Sequence, residues 1–265
     1  MELPLFPLNS VLCPGIALPL HIFEDRYRAL VRHCIDSSSP FGIVLIREGR
    51  EVGTGAISFT GIGTIAEIRD AGKYDDGRYD LLVVGTRRFE IRQVLSGKRP
   101  YLVAEVDVLE EEVGDASVAH RLAMTATRRF VTYLELLQPR SGETAEEIDV
   151  RVEVETADDD EPAEGEAEGG ETGSVEIGEV EGEASGDDPP RTRRVMIPDD
   201  PTVLSYLLAG IVQVESPRRQ ALLEAGTTET RLRMLLRTID RETFLLERRL
   251  RLFRPDAKLL GSRRS

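Results

Sequence analysis

The sequence has few of the residues that hold small secreted proteins together or bind metal ions. Its 265 residues include two cysteines and three histidines. Two cysteines cannot form a disulfide scaffold, and Cys13 and Cys34 lack the paired spacing of a zinc ribbon. His33 and Cys34 are adjacent in a predicted helix, so their side chains point in different directions. We therefore expect core thiols, no metal, no cofactor and no catalytic residue.

Long hydrophobic runs are also lacking. The longest apolar helical run, residues 203–214, has about 12 residues, whereas a helix needs roughly 20 to span a bilayer. The apolar start of the chain has no basic region before it and contains four prolines in residues 1–23, so it does not match a signal peptide. These features predict a soluble, cytoplasmic protein that has no membrane partner.

Phosphate-binding motifs are missing as well. The Gly-Lys pairs at 72–73 and 97–98 are followed by Tyr and Arg and do not belong to a Walker A loop. The segment 61–66 matches Gly-x-Gly-x-x-Ala, but the span after it is too short for the helix that a dinucleotide site requires. We interpret Gly61 and Gly63 as turn or bulge glycines. With three lysines and three histidines, candidates for acid–base catalysis are few.

The negative charge of the chain is concentrated in one segment. The formal net charge is −14, but residues 143–188 contain 20 acidic residues and one basic residue, which gives −19. The other 219 residues contain 33 basic and 28 acidic residues, which gives +5. The sequence therefore describes a mildly basic body that carries a strongly acidic insertion.

This insertion, residues 143–192, has a composition typical of disorder. It is rich in glycine and in charge of one sign, and it cannot bury enough apolar surface to offset the entropy of ordering. Lengthening a loop from about 6 to about 46 residues costs on the order of 2 kcal/mol, which a folded domain tolerates. One hypothesis is that the segment folds back transiently over arginine-rich helix faces.

Residues 1–114 have the pattern of a β domain. The runs 41–46 and 81–84 are apolar segments of strand length, and 102–108 alternates apolar and polar side chains. Glycines punctuate these runs, which is typical of short strands in a barrel or folded sheet. One helix is predicted near the start of the domain, at about 23–33, with Tyr27, Leu30, Val31 and Cys34 on one face.

Four helices are predicted in the rest of the body. The first runs from about 117 to 137, with an apolar face made by Val118, Leu122, Ala126, Phe130, Leu134 and Leu137. Three others begin at capping residues, Asp200, Ser216 and Thr228, of which the first two precede a proline. We expect one bundle, residues 115–142 and 193–255, that the insertion splits, followed by a flexible tail at 256–265.

Several ordered motifs resemble those of the LON substrate-binding domain, the amino-terminal domain family of Lon proteases. They are LPLFPLNSVLCPGIALPLHIFEDRYRALV at the start, GRYDLLVVGTRRFEI in the middle and PDDPTVLSYLLAGIV after the insertion. Cys13 replaces a bulky apolar residue that the family usually has. The resemblance implies an α+β fold, in which a PUA-like β pseudo-barrel is followed by a carboxy-terminal α-helical bundle.

The resemblance also implies a non-enzymatic module that binds polypeptides. The chain has no Walker A motif, and its end soon after the bundle leaves no room for an ATPase or a peptidase domain. The expected partners are unfolded or hydrophobic polypeptide segments, or a protein partner. Candidates for that surface are Leu18, Leu20 and Ile22; the competing interpretation is that these three residues belong to the core.

Four further residues have either a structural or a partner-facing role. Glu24, Arg26 and Tyr27 lie where the chain enters the first helix, and Arg88 lies in a predicted hairpin. For the helix start we favour a structural role, in which Glu24 supports the helix amino terminus. For Arg87 and Arg88 we expect that an arginine of the hairpin pairs with a carboxylate, next to a core Phe89.

Two other functions are alternatives to polypeptide binding. RNA binding through the PUA-like sheet and the arginine-rich faces is the first alternative, since the body is basic. The sequence lacks aromatic residues interleaved with these arginines, and the acidic insertion repels a polyanion, so nucleic acid is the weaker expectation. The second alternative is a hydrolase, but no pattern of residues places its site.

Overall fold

The computed structural model describes residues 1–49, 58–95, 99–137 and 198–252, together with two short pairs, β8 (Val175–Glu176) and β9 (Arg194–Val195). These two pairs form an antiparallel ladder. Apart from β8, the predicted disordered insertion at 143–192 lies outside the described residues. The predicted flexible tail at 256–265 lies outside them too.

Seven strands and one helix form the first part of the chain. The strands are β1 (Glu2–Leu8), β2 (Ala17–Ile22), β3 (Phe41–Glu48), β4 (Ser58–Phe59), β5 (Ile62–Lys73), β6 (Tyr79–Leu95) and β7 (Leu102–Val108). The helix α1 (Asp25–Ser37) lies between β2 and β3.

The strands close on themselves. They are hydrogen-bonded in the order β1-β7-β6-β5-β3, and β1 also pairs with β3 in parallel, with Leu5 opposite Gly42. The short strands β2 and β4 attach outside this ring, to β6 and β3. The first six residues of β3 are all buried. A strand inside a closed sheet is covered on both faces, and this explains why the sequence of β3 is a continuous apolar run.

The two glycines of the Gly-x-Gly segment have different roles. Gly61 lies in the turn between β4 and β5, as predicted, whereas Gly63 lies inside β5. A Cβ atom on Gly63 would be 2.4 Å from the carbonyl oxygen of Ile43 and 2.7 Å from Cζ of Phe89. Glycine is therefore needed at 63 because β3 and the Phe89 ring approach the backbone closely.

Helix α1 packs on the sheet with the predicted face. Tyr27, Leu30, Val31 and Cys34 are all buried, and the ring centroid of Tyr27 is 4.3 Å from that of Phe6. The residue Ser38 has a positive φ and ends the helix in a left-handed conformation, where its N–H bonds back to the last turn.

Four helices follow the sheet: α2 (Ala116–Leu137), α3 (Pro201–Ile211), α4 (Ser216–Leu223) and α5 (Thr228–Leu252). They share one apolar core, which also contains Cys13 from the loop between β1 and β2. The coarse prediction of a sheet plus helices is confirmed. None of the helices in the described residues is both long enough and apolar enough to cross a membrane.

The buried face of α2 agrees only in part with the predicted one, since Ala126 and Phe130 belong to both. Its buried residues are Ala119, Ala123, Ala126, Phe130 and Tyr133, whereas Leu122, Leu134 and Leu137 are only partly buried at the edge of the core. Alanines carry little side chain, so their face lets α5 approach closely. The sequence pattern favoured the larger leucines and so rotated the predicted face.

Two of the three predicted helix caps are wrong. Asp200 caps α3 as predicted and accepts hydrogen bonds from the N–H groups of Thr202 and Val203. Ser216 is already inside α4, and its hydroxyl donates instead to the carbonyl oxygen of Asn9 at 2.9 Å. At α5, Thr227 rather than Thr228 accepts a bond from the Thr230 N–H.

We predict that Gly63→Ala lowers the free energy of unfolding by about 1–3 kcal/mol, because the added methyl overpacks a site bounded by backbone. Gly61→Ala is the matched control, since nothing lies within 4 Å of its Cβ position. Urea unfolding followed by circular dichroism measures both. Equal midpoints for the two variants would contradict the packing role of Gly63.

Candidate functional site

A buried network of charged side chains joins the sheet to the helices. Arg88 of β6 donates two hydrogen bonds to Glu111, which follows β7, at 2.8 and 3.1 Å. Arg231 of α5 donates to the same carboxylate at 3.2 Å. The side chain of Arg231 is 0% exposed and that of Glu111 is 29% exposed. One carboxylate thus pairs with two guanidinium groups from distant parts of the chain.

The remaining donors of the two arginines bond to the helical part. Arg88 Nη1 donates to the carbonyl oxygens of Leu223 and Ala225, at 2.9 and 2.8 Å. Arg231 donates to the carbonyl of Leu222 at 3.2 Å and to the hydroxyl of Ser205 at 2.9 Å. The end of α4 is therefore held between a sheet residue and an α5 residue.

Tyr206 of α3 completes the network. Its hydroxyl donates to the Glu111 carboxylate at 2.7 Å and accepts from Arg231 Nη2 at 2.6 Å. The Arg231 guanidinium also lies 3.7 Å from the centre of the Tyr206 ring, a cation–π distance. Tyr206 therefore contacts Glu111 through its hydroxyl and Arg231 through both its hydroxyl and its ring.

The environment fixes the protonation states of this network. Partial burial acts to raise the pKa of Glu111, but the hydrogen bonds from Arg88 and Tyr206 and the nearby positive charges outweigh it and lower this pKa. Burial raises the pKa of Tyr206 far above its ordinary value. At neutral pH the site therefore contains an ionised carboxylate and a neutral phenol.

An open groove of about 340 Å³ lies beside this network. Residues 84–87 of β6 form part of its lining, and α3 contributes Thr202, Val203, Tyr206 and Leu207. The Pro14-Gly15 turn, Arg69, Glu111 and Pro198 complete the lining. Because Glu111 and Tyr206 belong to both the groove and the network, the network sets the position of α3 relative to β6.

The groove combines apolar and cationic surface. Val203 is 41% exposed in it and gives the groove an accessible aliphatic surface. Arg69 and Arg87 both contribute to the lining. Arg69 lies 3.9 Å from Glu67, whereas Arg87 is exposed and no carboxylate of the described residues is within ion-pair distance of it.

Gly85 lines the groove and also permits the close backbone contact that forms one of its walls. A Cβ atom there would be 2.5 Å from the carbonyl oxygen of Cys13, so glycine lets the loop before β2 lie against β6. The backbone bonds Gly15 N–H to Gly85 O at 2.8 Å and Gly85 N–H to Ile16 O at 3.0 Å hold this contact. The Pro14-Gly15 turn is thereby fixed at the groove.

The predicted surface on β2 is largely part of the core. Ile22 is 2% exposed and packs inside the sheet domain, so the prediction of Ile22 as a surface residue is wrong. Leu18 and Leu20 are partly buried against the same cluster. All three residues point to one side of an alternating strand, and that side faces the core. None of them lines the groove.

The residues at the start of α1 have structural contacts and also border a second cleft. Arg26 lies 3.2 Å from Glu24 and 4.4 Å from the centre of the buried Tyr27 ring. Arg26 and Tyr27 line a cleft of about 270 Å³ together with residues 94–95 and 99–102. Glu24 directly precedes α1 and its side chain makes no capping hydrogen bond to the helix, so support of the helix start through the charge of Glu24 stays a prediction.

Sequence reasoning located one member of the buried network and missed the others. The sequence predicts a carboxylate partner for a hairpin arginine, Arg87 or Arg88, and it is Arg88 that pairs with Glu111. The sequence does not indicate Glu111, Tyr206 or Arg231. A glutamate in a loop is usually exposed, and a tyrosine or an arginine on an amphipathic helix also fits an exposed position.

The two cysteines are buried thiols in separate cores. Burial raises the pKa of Cys13 to about 12 and that of Cys34 to about 11, so both are protonated at neutral pH. In the described part of the chain, no group of three or more histidine, cysteine or acidic side chains is placed to hold a metal ion.

The sequence matches a family model described as the ATP-dependent protease La (LON) substrate-binding domain, over residues 2–241. Among curated relatives, it is 33% identical over 117 residues to Lon protease 2 of Myxococcus xanthus, covering 44% of this chain and 14% of that protein. It is 30% identical over 137 residues to the Lon protease of Anaeromyxobacter dehalogenans, covering 51% and 16%. The matched region is thus about a sixth of each relative.

Two solved structures have the same fold. One is a Lon N-terminal domain protein from Xanthomonas campestris, with 24% identity, a TM-score of 0.53 and coverage of 89% of this chain and 97% of that one. The other is the N-terminal domain of the Lon protease of the Mycobacterium avium complex, with 16% identity, a TM-score of 0.56 and coverage of 91% and 98%. This likeness is one of fold.

We predict that Glu111→Gln lowers the free energy of unfolding at neutral pH by on the order of 3 kcal/mol, because two buried guanidinium groups lose their counter-charge. The pKa of Glu111 is lowered in the folded protein, so its contribution is present above the unfolded pKa and is lost as pH falls. The difference between wild type and variant should therefore shrink below about pH 4.3.

Chemical unfolding across this pH range measures the difference. Asp107→Asn is the matched control, since Asp107 pairs with Arg92 on the exposed face of the sheet. This control should unfold close to the wild-type midpoint. A Glu111→Gln midpoint equal to that of the control would contradict the role of the network.

Proposed function

The chain belongs to the ATP-dependent protease La (LON) substrate-binding domain family, and on that basis we propose that it binds extended polypeptide segments in the groove between β6 and α3. The observation that carries the proposal is this groove, in which an exposed Val203 lies beside Leu207 and Val84 on a rigid support. Its volume of about 340 Å³ suits one or two apolar side chains rather than a folded surface.

The support for the groove is rigid because it is bonded from both sides. Arg88 fixes β6 to the end of α4, and Tyr206 fixes α3 to Glu111. A preformed site binds a flexible chain with a smaller loss of conformational entropy in the protein. We propose that the site lies between the two parts predicted from the sequence. The β domain at 1–114 supplies β6, and the helical bundle supplies α3.

We further propose a binding role without catalysis. A general acid or base works best when its pKa is near the working pH. In the groove, the pKa of Glu111 is lowered and that of Tyr206 is raised, so neither group is suited to proton transfer at neutral pH. The family match also covers a substrate-binding domain alone, which supports a module that recognises polypeptides for another component.

The RNA-binding alternative has less support. The described residues contain an exposed cluster at the tip of the β5–β6 hairpin, where the rings of Phe23 and Tyr74 lie 6.2 and 6.3 Å from His21. Such rings suit base stacking. However, Asp80 bonds to both His21 and Tyr74, and Arg78 of the same hairpin pairs with Asp76 at 2.7 Å, so the basic side chain beside these rings is already bonded to a carboxylate.

We predict that the full-length protein binds a fluorescent, uncharged peptide containing Leu and Phe, with an affinity that changes little with salt. Val203→Gln should weaken this binding by about fivefold, because it removes apolar surface from the groove. Met124→Gln is the control, since Met124 is a 56% exposed residue on α2 that does not line the groove.

Fluorescence anisotropy measures both variants, and a labelled single-stranded RNA is titrated in parallel. RNA binding that falls steeply with salt, in the absence of peptide binding, would favour the alternative instead. Equal weakening by the two substitutions would remove the groove from the proposal.

A further inference from the structure

We infer that the groove selects polypeptide segments in which an acidic side chain lies next to an apolar one. This inference rests on the proposed function and names the class of segment that the site prefers. It follows from the charges that line the groove, which are two arginines and one glutamate.

The glutamate does not offset the arginines of the groove. The Glu111 carboxylate accepts bonds from the buried Arg88 and Arg231 and from the neutral Tyr206. Two buried positive charges therefore stand behind one negative charge. Toward the groove, this network presents no excess of negative charge.

Two other carboxylates near the groove have partners of their own. Asp200 accepts from the N–H groups of Thr202 and Val203 at the start of α3. Glu67 lies on β5 at 3.9 Å from Arg69, the long end of ion-pair distance. Neither side chain is close enough to Arg87 to form an ion pair. The groove therefore has one exposed positive charge, that of Arg87, which no carboxylate of the described residues offsets, although the chain as a whole carries −14.

Arg87 is the charged side chain of the groove that a bound polypeptide can reach. It lies on β6 next to the buried Arg88, and its own side chain points to solvent at the groove. The two neighbouring arginines therefore have opposite surroundings, because successive side chains on a strand point to opposite faces. An acidic side chain of a bound segment would reach Arg87 while its apolar neighbour contacts Val203 and Leu207.

Three synthetic peptides test this preference. They share one apolar sequence and carry Glu, Ser or Lys beside the apolar residue, and all are acetylated and amidated so that no terminal carboxylate contributes. Anisotropy titrations with the full-length protein at low salt should rank them Glu, Ser, Lys, with about two- to fivefold between Glu and Ser. The ranking should fade as salt rises, since exposed charges are screened.

Two variants assign the preference to one residue. Arg87→Gln should bring the Glu peptide to the affinity of the Ser peptide, and Arg87→Glu should place the Lys peptide first. Arg92→Gln is the matched control, an exposed arginine on the same strand that pairs with Asp107 away from the groove. It should leave the ranking unchanged, and all three variants should keep the wild-type urea midpoint because both arginines are exposed.

The outcomes separate this inference from the proposed function. Equal affinity of the wild type for all three peptides, with weaker binding by Val203→Gln, would overturn the acidic preference and leave polypeptide binding standing. A ranking that Arg87→Glu does not alter would also overturn it. Failure of the wild type to bind any of the peptides would overturn the proposed function itself.

Discussion

One carboxylate holds two buried guanidinium groups in this fold. Glu111 accepts from Arg88 of the sheet and from Arg231 of the last helix, and both arginines also bond to carbonyl oxygens at residues 222–225. Removing an arginine from water is costly, and the cost is met only when each donor finds a partner. These partners come from several elements at once, so the relative positions of sheet and helices are tightly constrained.

The groove depends on the same constraint. Its wall on α3 contains Tyr206, which is held by Glu111, and its wall on β6 begins at Gly85, where the close approach of the Cys13 carbonyl excludes a side chain. Val203 therefore remains exposed at the groove, whereas Val84 and Leu207 form its buried apolar floor. The proposed binding surface thus depends on the polar network together with the apolar core that holds the other face of α3.

Much of the fold was predictable from local patterns. The buried face of α1 and the Asp200 cap of α3 follow from spacing and capping chemistry, and the ordered motifs indicated the family. The face of α2 was misplaced because its core side is made of alanines, which a hydrophobic pattern undervalues beside leucines. The role of Gly63 was missed because it depends on Phe89 and on a strand distant in sequence.

The site was harder to predict for a related reason. The network consists of charged and aromatic residues that are 23 to 143 positions apart in the chain, and each of them fits an ordinary surface position by itself. The candidates Leu18, Leu20 and Ile22 were chosen for their apolar character, which is also the property of core residues. Only the closure of the sheet decides between surface and core, and it places Ile22 inside.

Photo-crosslinking tests the central claim, that polypeptides bind between β6 and α3, most directly. An apolar peptide with a photoreactive residue is irradiated with the full-length protein, and the modified residues are identified by mass spectrometry. If polypeptides bind in this groove, we expect adducts on Val84, Val203 and Leu207. Adducts confined to Leu18 and Leu20, or to the cleft beside Arg26 and Tyr27, would contradict it.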